Sequence, residues 1–255
     1  MNRAQAYGEK FAKIYNLRWS GFASSVAPSI QTYYETLPIA DAHKTLLDVA
    51  CGTGQLLSWF LERGYSCTGL DASEYMLAVA RKNAARFAAE GRADFLRADA
   101  SSFRLDRGYG VAVSTFDALN HLPDMQSLLG CFESVYHALV PGGCFIFDLN
   151  TKKGLRMWNA VSVEETDELF ILNRGIFVEE SGKAFAKITG FMKVEKDRFE
   201  RFEQTAYNTV FSLRDVEAAL IRSGFRDVRF STIKDLNVSV MDPEELPRAF
   251  IVCGR

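Results

Sequence analysis

The sequence has no Cys-x-x-Cys pair and no even set of cysteines. Its five cysteines, Cys51, Cys67, Cys131, Cys144 and Cys253, are scattered along the chain. That spacing excludes a disulfide framework and the usual zinc sites. Cys67 and Cys144 fall inside strand-like patterns, where a small buried thiol is the ordinary reading. No apolar run is long enough to cross a bilayer, and nothing at the N-terminus reads as a signal peptide. A cytoplasmic protein with no membrane partner is therefore expected. Charge of one sign is also lacking: 30 Lys and Arg stand against 32 Asp and Glu, a formal net charge of −2. Without a global basic field, a nucleic-acid partner is disfavoured. There are no internal repeats and no low-complexity tract. What remains is a chain of 255 residues, 48% hydrophobic, which fits one large α/β domain or a domain with an insertion.

The chain is organised around residues 46–57. Leu46-Leu47-Asp48-Val49 is an apolar run that ends in Ala50-Cys51-Gly52-Thr53-Gly54. Leu56, Leu57, Phe60 and Leu61 then open a helical pattern. The order is strand, tight turn, helix. Gly52 and Gly54 permit positive φ and let a ligand approach bare backbone. A second strand, Ser66 to Asp71, ends in a carboxylate. At the C-terminal edge of a parallel sheet, such a group overhangs the ligand crevice and can accept both hydroxyls of a ribose. A dinucleotide fold calls for a third glycine, where Leu57 stands here. Asp48, just before the turn, would repel a pyrophosphate but suits a cation such as S-adenosylmethionine.

At these residues the chain resembles the class I S-adenosylmethionine-dependent methyltransferases. Asp48-Val49-Ala50-Cys51-Gly52-Thr53-Gly54 matches their first motif, with Ala50 in place of the commoner first glycine. Leu139-Val140-Pro141-Gly142-Gly143, between a helix and a strand, matches another family signature. The resemblance covers residues 41–151 well and the rest loosely. It implies a cofactor site made of Tyr15, Trp19, Asp48, Ala50, Gly52, Gly54, Asp71, Ala72, Met76, Asp99, Ala100 and Phe116. Asp48 would serve the ammonium side, Asp71 the ribose, and Asp99 with the Ala100 N–H the adenine. Met76 would touch the adenine face, or simply fill core.

Phe11-Ala12-Lys13-Ile14-Tyr15-Asn16 is similar to a Phe-Ala-x-x-Tyr-Asp segment whose Tyr closes over the cofactor, with Asn16 replacing the Asp. Tyr7, Phe11, Ile14, Tyr15 and Trp19 approximate one helical stripe, which reads as a lid or as a packed helix. A second helix is expected to open at Pro28 and to stop at Pro38.

Further along, one helix is expected over about 74–90, capped by Ser73, and a third strand over Ala93–Ala100. Val111–Ser114 reads as the central strand, followed by a segment containing Phe116, Asp117 and His121. His121 is a candidate general base, since an imidazole titrates near neutrality, or a structural group on a loop backbone. Asp148, at the end of strand five, could take a substrate proton or fix a loop. Asp117 and Asp148 alone make no convincing metal set, so no metal is expected. Ser212 and Asp215 resemble a capping box. From 152 to about 205 the pattern alternates in Leu169–Leu172, Phe185–Val194 and Phe199–Tyr207, with hairpin ends at Lys183-Ala184 and Lys196-Asp197. This reads as an inserted antiparallel sheet.

The expected architecture is α/β: a seven-stranded, mostly parallel Rossmann-like sheet with a last antiparallel strand. Residues 1–40 form a helical lid, 41–151 and 206–255 the core, and 152–205 a substrate cover or dimer contact. The implied activity is methyl transfer to an N or O nucleophile of a small molecule. The alternatives are a protein or RNA methyltransferase, or a non-catalytic S-adenosylmethionine-binding protein. Ser114-Thr115-Phe116-Asp117 stands where amide and exocyclic-amine methylases carry Asn/Asp-Pro-Pro-Tyr/Phe. A homodimer is one option for assembly.

Overall fold

A computed structural model describes residues 7–255, apart from the side chain of Ser20. The start of the expected lid, residues 1–6, lies outside the described residues. Helices α1 (Glu9–Arg18) and α2 (Ser20–Tyr34) precede the sheet. Pro28 does not open a helix but sits inside α2. Proline there removes one backbone donor, and burial of Val26, Ala27, Ile30 and Tyr34 outweighs that loss. The helix ends at Tyr34, before Pro38.

The core then alternates strand and helix: β1 (Thr45–Val49), α3 (Gln55–Glu62), β2 (Ser66–Asp71), α4 (Glu74–Asn83), α5 (Ala85–Ala89), β3 (Ala93–Arg97), β4 (Tyr109–Ser114), α6 (Met125–Ala138) and β5 (Leu139–Asn150). The helix expected over 74–90 is thus two, broken at Ala84. After β5 come α7 (Lys152–Arg156) and four strands, β6 (Val161–Glu165), β7 (Leu169–Val178), β8 (Lys183–Glu195) and β9 (Arg198–Thr209). The chain closes with α8 (Leu213–Arg222), β10 (Arg226–Ser231) and β11 (Arg248–Gly254).

The main sheet has seven strands in the order β10-β11-β5-β4-β1-β2-β3. Its pairings are parallel except those of β11, which runs antiparallel to both neighbours. Strand alternation divides the core. Leu47, Ala112, Phe145 and Phe147 pack on one face with α6 and α8, while Leu46, Val111, Val113 and Ile146 pack on the other with α2 and α3. The strand order reverses beside β1, between β4 and β2, and that is where an open α/β sheet leaves a crevice at its strand ends.

The insert is a four-stranded antiparallel sheet, β6-β7-β8-β9. Lys183 and Ala184 belong to β8, and the hairpin turn comes just before them, at residues 179–182. Strand β6 escaped the sequence pattern because it is short and mostly exposed. The inner face meets α1 and α4 in a third cluster of Phe11, Ile14, Met76, Ile171, Ile188 and Phe202. At α8 the expected capping box does not form. A carboxylate distant in sequence takes its place, as the Leu213 N–H donates to Glu244 Oε1 at 2.7 Å.

Candidate functional site

The turn after β1 is left-handed at three points: Ala50 (φ 59°), Gly52 (φ 54°) and Gly54 (φ 78°). The Gly52 N–H donates to Asp71 Oδ2 at 2.9 Å, and the Ser73 N–H donates to Asp71 Oδ1 at 2.8 Å. One carboxylate therefore ties together the loops that follow β1 and β2. Burial raises the Asp71 pKa above the ordinary carboxylate value, while the N–H groups of Ser73 and Gly52 oppose that rise. Ser73 caps α4 by accepting from the Met76 N–H, and its hydroxyl donates to the Tyr7 carbonyl.

These loops floor a cavity of about 470 Å³. Ala50, Gly52, Asp71, Ala72, Met76, Asp99, Ala100 and Phe116 line it. Tyr7, Phe11, Tyr15 and Trp19 wall one side, and Trp158, Ser162, Asn173, Gly175 and Ala186 from the insert wall another. Gly175 makes that wall close-packed, since a Cβ there would stand 1.9 Å from the Trp158 carbonyl oxygen. Asp99 accepts both the N–H and the hydroxyl of Ser101 on Oδ1. Asn16 holds α1 to the glycine turn, accepting from Gln55 at 2.6 Å and from Asn83 at 2.8 Å.

Three expected residues lie elsewhere. Gly54 is buried outside the cavity lining, and a Cβ on it would meet the Ala80 Cβ at 3.1 Å. Its lack of a side chain serves the packing of α4 on the turn. Asp48 lines a small adjoining pocket with Tyr15, Trp19, Phe22 and Phe116. Burial and then Asp71 raise its pKa. Asp148 is 0% exposed and is absent from the cavity wall. It accepts the N–H of Phe116 on Oδ1 at 2.7 Å and that of Asp117 on Oδ2 at 2.9 Å, and Arg248 binds it as well. With both oxygens engaged by the backbone and side chain of residues that line the cavity, it braces the loop after β4 from behind.

His121 does reach the cavity. Its Nδ1 lies 2.7 Å from the Tyr207 carbonyl oxygen, which can only accept. That contact places a proton on Nδ1, so in the neutral imidazole the lone pair is on Nε2. The Tyr7 hydroxyl stands 3.2 Å from Nε2 and donates to it.

The sequence reading expected the insert as a cover but named none of its wall residues, and it missed Arg248 and the place of Asp117. Phe116 (φ 66°) and Asp117 (φ 50°) are consecutive non-glycine residues in the left-handed region, a conformation no local pattern announces. Arg248 meets Asp148 and Asp117 from a strand about a hundred residues further on. Only tertiary pairing reveals it.

The cavity suits an adenosylated amino acid: bare backbone at Gly52, carboxylates at the ends of β2 and β3, and aromatic rings above. The protein is a class I S-adenosylmethionine-dependent methyltransferase, and S-adenosylmethionine is its methyl donor. A methyltransferase-domain family model matches residues 46–143. Putative methyltransferase YqeM of Bacillus subtilis is 26% identical over 183 residues, 71% of this chain and 73% of that one. A dTDP-3-amino-3,4,6-trideoxy-alpha-D-glucopyranose N,N-dimethyltransferase of Streptomyces venezuelae is 35% identical over 104 residues, 41% of each chain. Among solved structures, an S-adenosylmethionine-dependent methyltransferase from Clostridium acetobutylicum shares the fold with a TM-score of 0.77 at 22% identity, over 96% of this chain and 97% of that one. The sugar N-methyltransferase KedS8 of a Streptoalloteichus species shares it with a TM-score of 0.78 at 21% identity, over 100% and 96%.

Proposed function

We propose that the enzyme methylates an N or O nucleophile of a small molecule. One observation carries this: the cavity is walled on the acceptor side by the chain's own α1 and insert strands, which leaves room for a compact acceptor. The sugar N-methyltransferase likeness of the fold and the aminosugar relative point the same way. In this reading residues 1–40 act as a lid, 152–205 as a substrate cover, and the remainder as the cofactor core.

Bound S-adenosylmethionine supplies an activated methyl carbon, whose bond to sulfur breaks as the acceptor bond forms, the electron pair returning to sulfur. The chain's task is then alignment and exclusion of water. Gly52, Asp71 and Asp99 would hold the donor, Tyr15 and Trp19 cover it, and Phe116 set its depth. His121 Nε2 would take the acceptor's proton once Tyr7 yields its place. The test is incubation with methyl-labelled donor and a cell extract split by size. Label in the low-mass fraction is expected, and label confined to protein or RNA would overturn the reading.

For assembly we propose a homodimer through the outer face of the insert. Val163 pairs with Leu172, Phe170 with Phe191, and Ile176 with Phe185, and these share the face turned from the cavity. Val163, Ile176, Phe185 and Phe191 are exposed. Arg174 and Lys187 lie among them with Glu165 and Glu203, so the face carries both signs and suits a second copy of itself. Sedimentation should show a dimer that Phe191→Asp converts to monomer. A wild-type monomer at about 50 µM, well above the micromolar constants of weak specific complexes, would contradict this.

A further inference from the structure

The proposal above leaves nitrogen and oxygen acceptors open. We infer that the site is built for an amine and that Asp117 sets this preference, an assignment that rests on the methyl-transfer reading. Asp117 follows Phe116 in the left-handed turn after β4, lines the cavity, and is 7% exposed. Its N–H is held by Asp148 and its Oδ1 by Arg248 at 2.7 Å. The carboxylate is therefore fixed on the wall and cannot swing away. One guanidinium answers two carboxylates there, so the group keeps an acidic excess, to which Asp71 adds from the floor of the same cavity.

Nitrogen and oxygen differ in how charge flows. An amine acceptor first releases its ammonium proton to water; its lone pair then forms the N–C bond, the C–S pair goes to sulfur, and the positive charge moves from sulfur to nitrogen. The total charge of the site is unchanged, and the new ammonium stays beside the carboxylates until its proton leaves to His121 Nε2 or to water. An oxygen acceptor must first become an alkoxide or phenolate against the same field, and transfer then cancels the cation that the carboxylates favour.

The protein's own hydroxyls at this place stand in the same surroundings. The Tyr7 hydroxyl, 3.2 Å from His121 Nε2, is pushed far above an ordinary phenol by burial, then by Asp117 and Asp71. Tyr15 is raised by burial, then by Tyr7, Asp117, Asp71 and Asp48. An acceptor hydroxyl brought to this wall meets the same opposition.

The experiment compares two probes by calorimetric titration. S-adenosylhomocysteine has a neutral sulfur, whereas sinefungin carries an ammonium where the methyl group stands. The wild type should prefer sinefungin by about tenfold or more. Asp117→Asn should remove most of that preference. Asparagine tolerates positive φ and keeps an oxygen for Arg248, so the change removes charge with little else. A preference that survives in the variant would overturn the assignment. So would equal affinities in the wild type, a result that needs no variant to fold. A wild type that binds neither probe would instead overturn the methyl-transfer reading, so the two failures are distinguishable.

Discussion

Asp71→Ala is expected to weaken S-adenosylhomocysteine binding by roughly 100-fold or more. The carboxylate accepts the Gly52 N–H on one oxygen and the Ser73 N–H on the other. Alanine leaves both donors without their partner and removes the acceptor proposed for the ribose hydroxyls. A hydrogen bond to a charged group contributes about 1.5–3 kcal/mol, so losing the ligand's share and loosening both loops totals about 3–4 kcal/mol. Asp71→Asn should fall less, by about tenfold, because one amide oxygen can still accept while its NH2 opposes the second donor. Calorimetric titration beside NAD decides the matter. Full affinity in the alanine variant would remove Asp71 from the site. Preference for NAD would return the Gly52 turn to a dinucleotide reading.

How far the sequence discloses this site follows from what each residue depends on. Gly52, Asp71 and Asp99 take their places from strand ends, and strand ends are written locally, in a short apolar run stopped by a turn. Neighbours such as Leu46 and Leu47, or Val111 and Ala112, must point to opposite faces, but since both members are apolar, only the packing shows which face each takes. Gly54 shows the limit of a motif: its spacing is right, but what it approaches is Ala80, not the ligand cavity. Asp148 shows another limit. A carboxylate at a strand end reads as chemistry until its partners are seen, and here they are two backbone N–H groups and an arginine. The insert was legible as a sheet from its alternation, yet Asn173 and Ser162 reach the cavity only because β6 and β7 pair in one register. That register is a tertiary fact.

Arg248→Met is expected to lower stability by about 3 kcal/mol, a fall of roughly 6–12 °C in melting temperature. Methionine keeps much of the volume beside Phe22 and Phe116, over which the guanidinium lies, but removes the cation between Asp148 and Asp117. Breaking a fully buried pair costs about 3–5 kcal/mol. The lower end applies because the Arg248 side chain is 23% exposed, although that of Asp148 is 0%. The effect should spread to the turn that Asp148 braces, since Phe116 and Asp117 hold positive φ values that persist only where surroundings fix them. The sign of the pH dependence separates lost charge pairing from lost packing. Burial raises the Asp148 pKa and Arg248 lowers it. A carboxylate with a raised folded-state pKa contributes stability below its unfolded value, and loses it as pH rises through the folded value. Removing Arg248 enlarges that loss, so the gap between wild type and variant should narrow as pH falls towards the carboxylate range. Chemical denaturation across pH reads it directly. A gap that stays constant would mean that Arg248 acts through packing on Phe22 and Phe116 alone. With charge pairing lost, adding Asp148→Asn to Arg248→Met should cost less than the sum of the single changes, by about 1–2 kcal/mol, because the amide has no charge left to strand; strict additivity would go with packing alone.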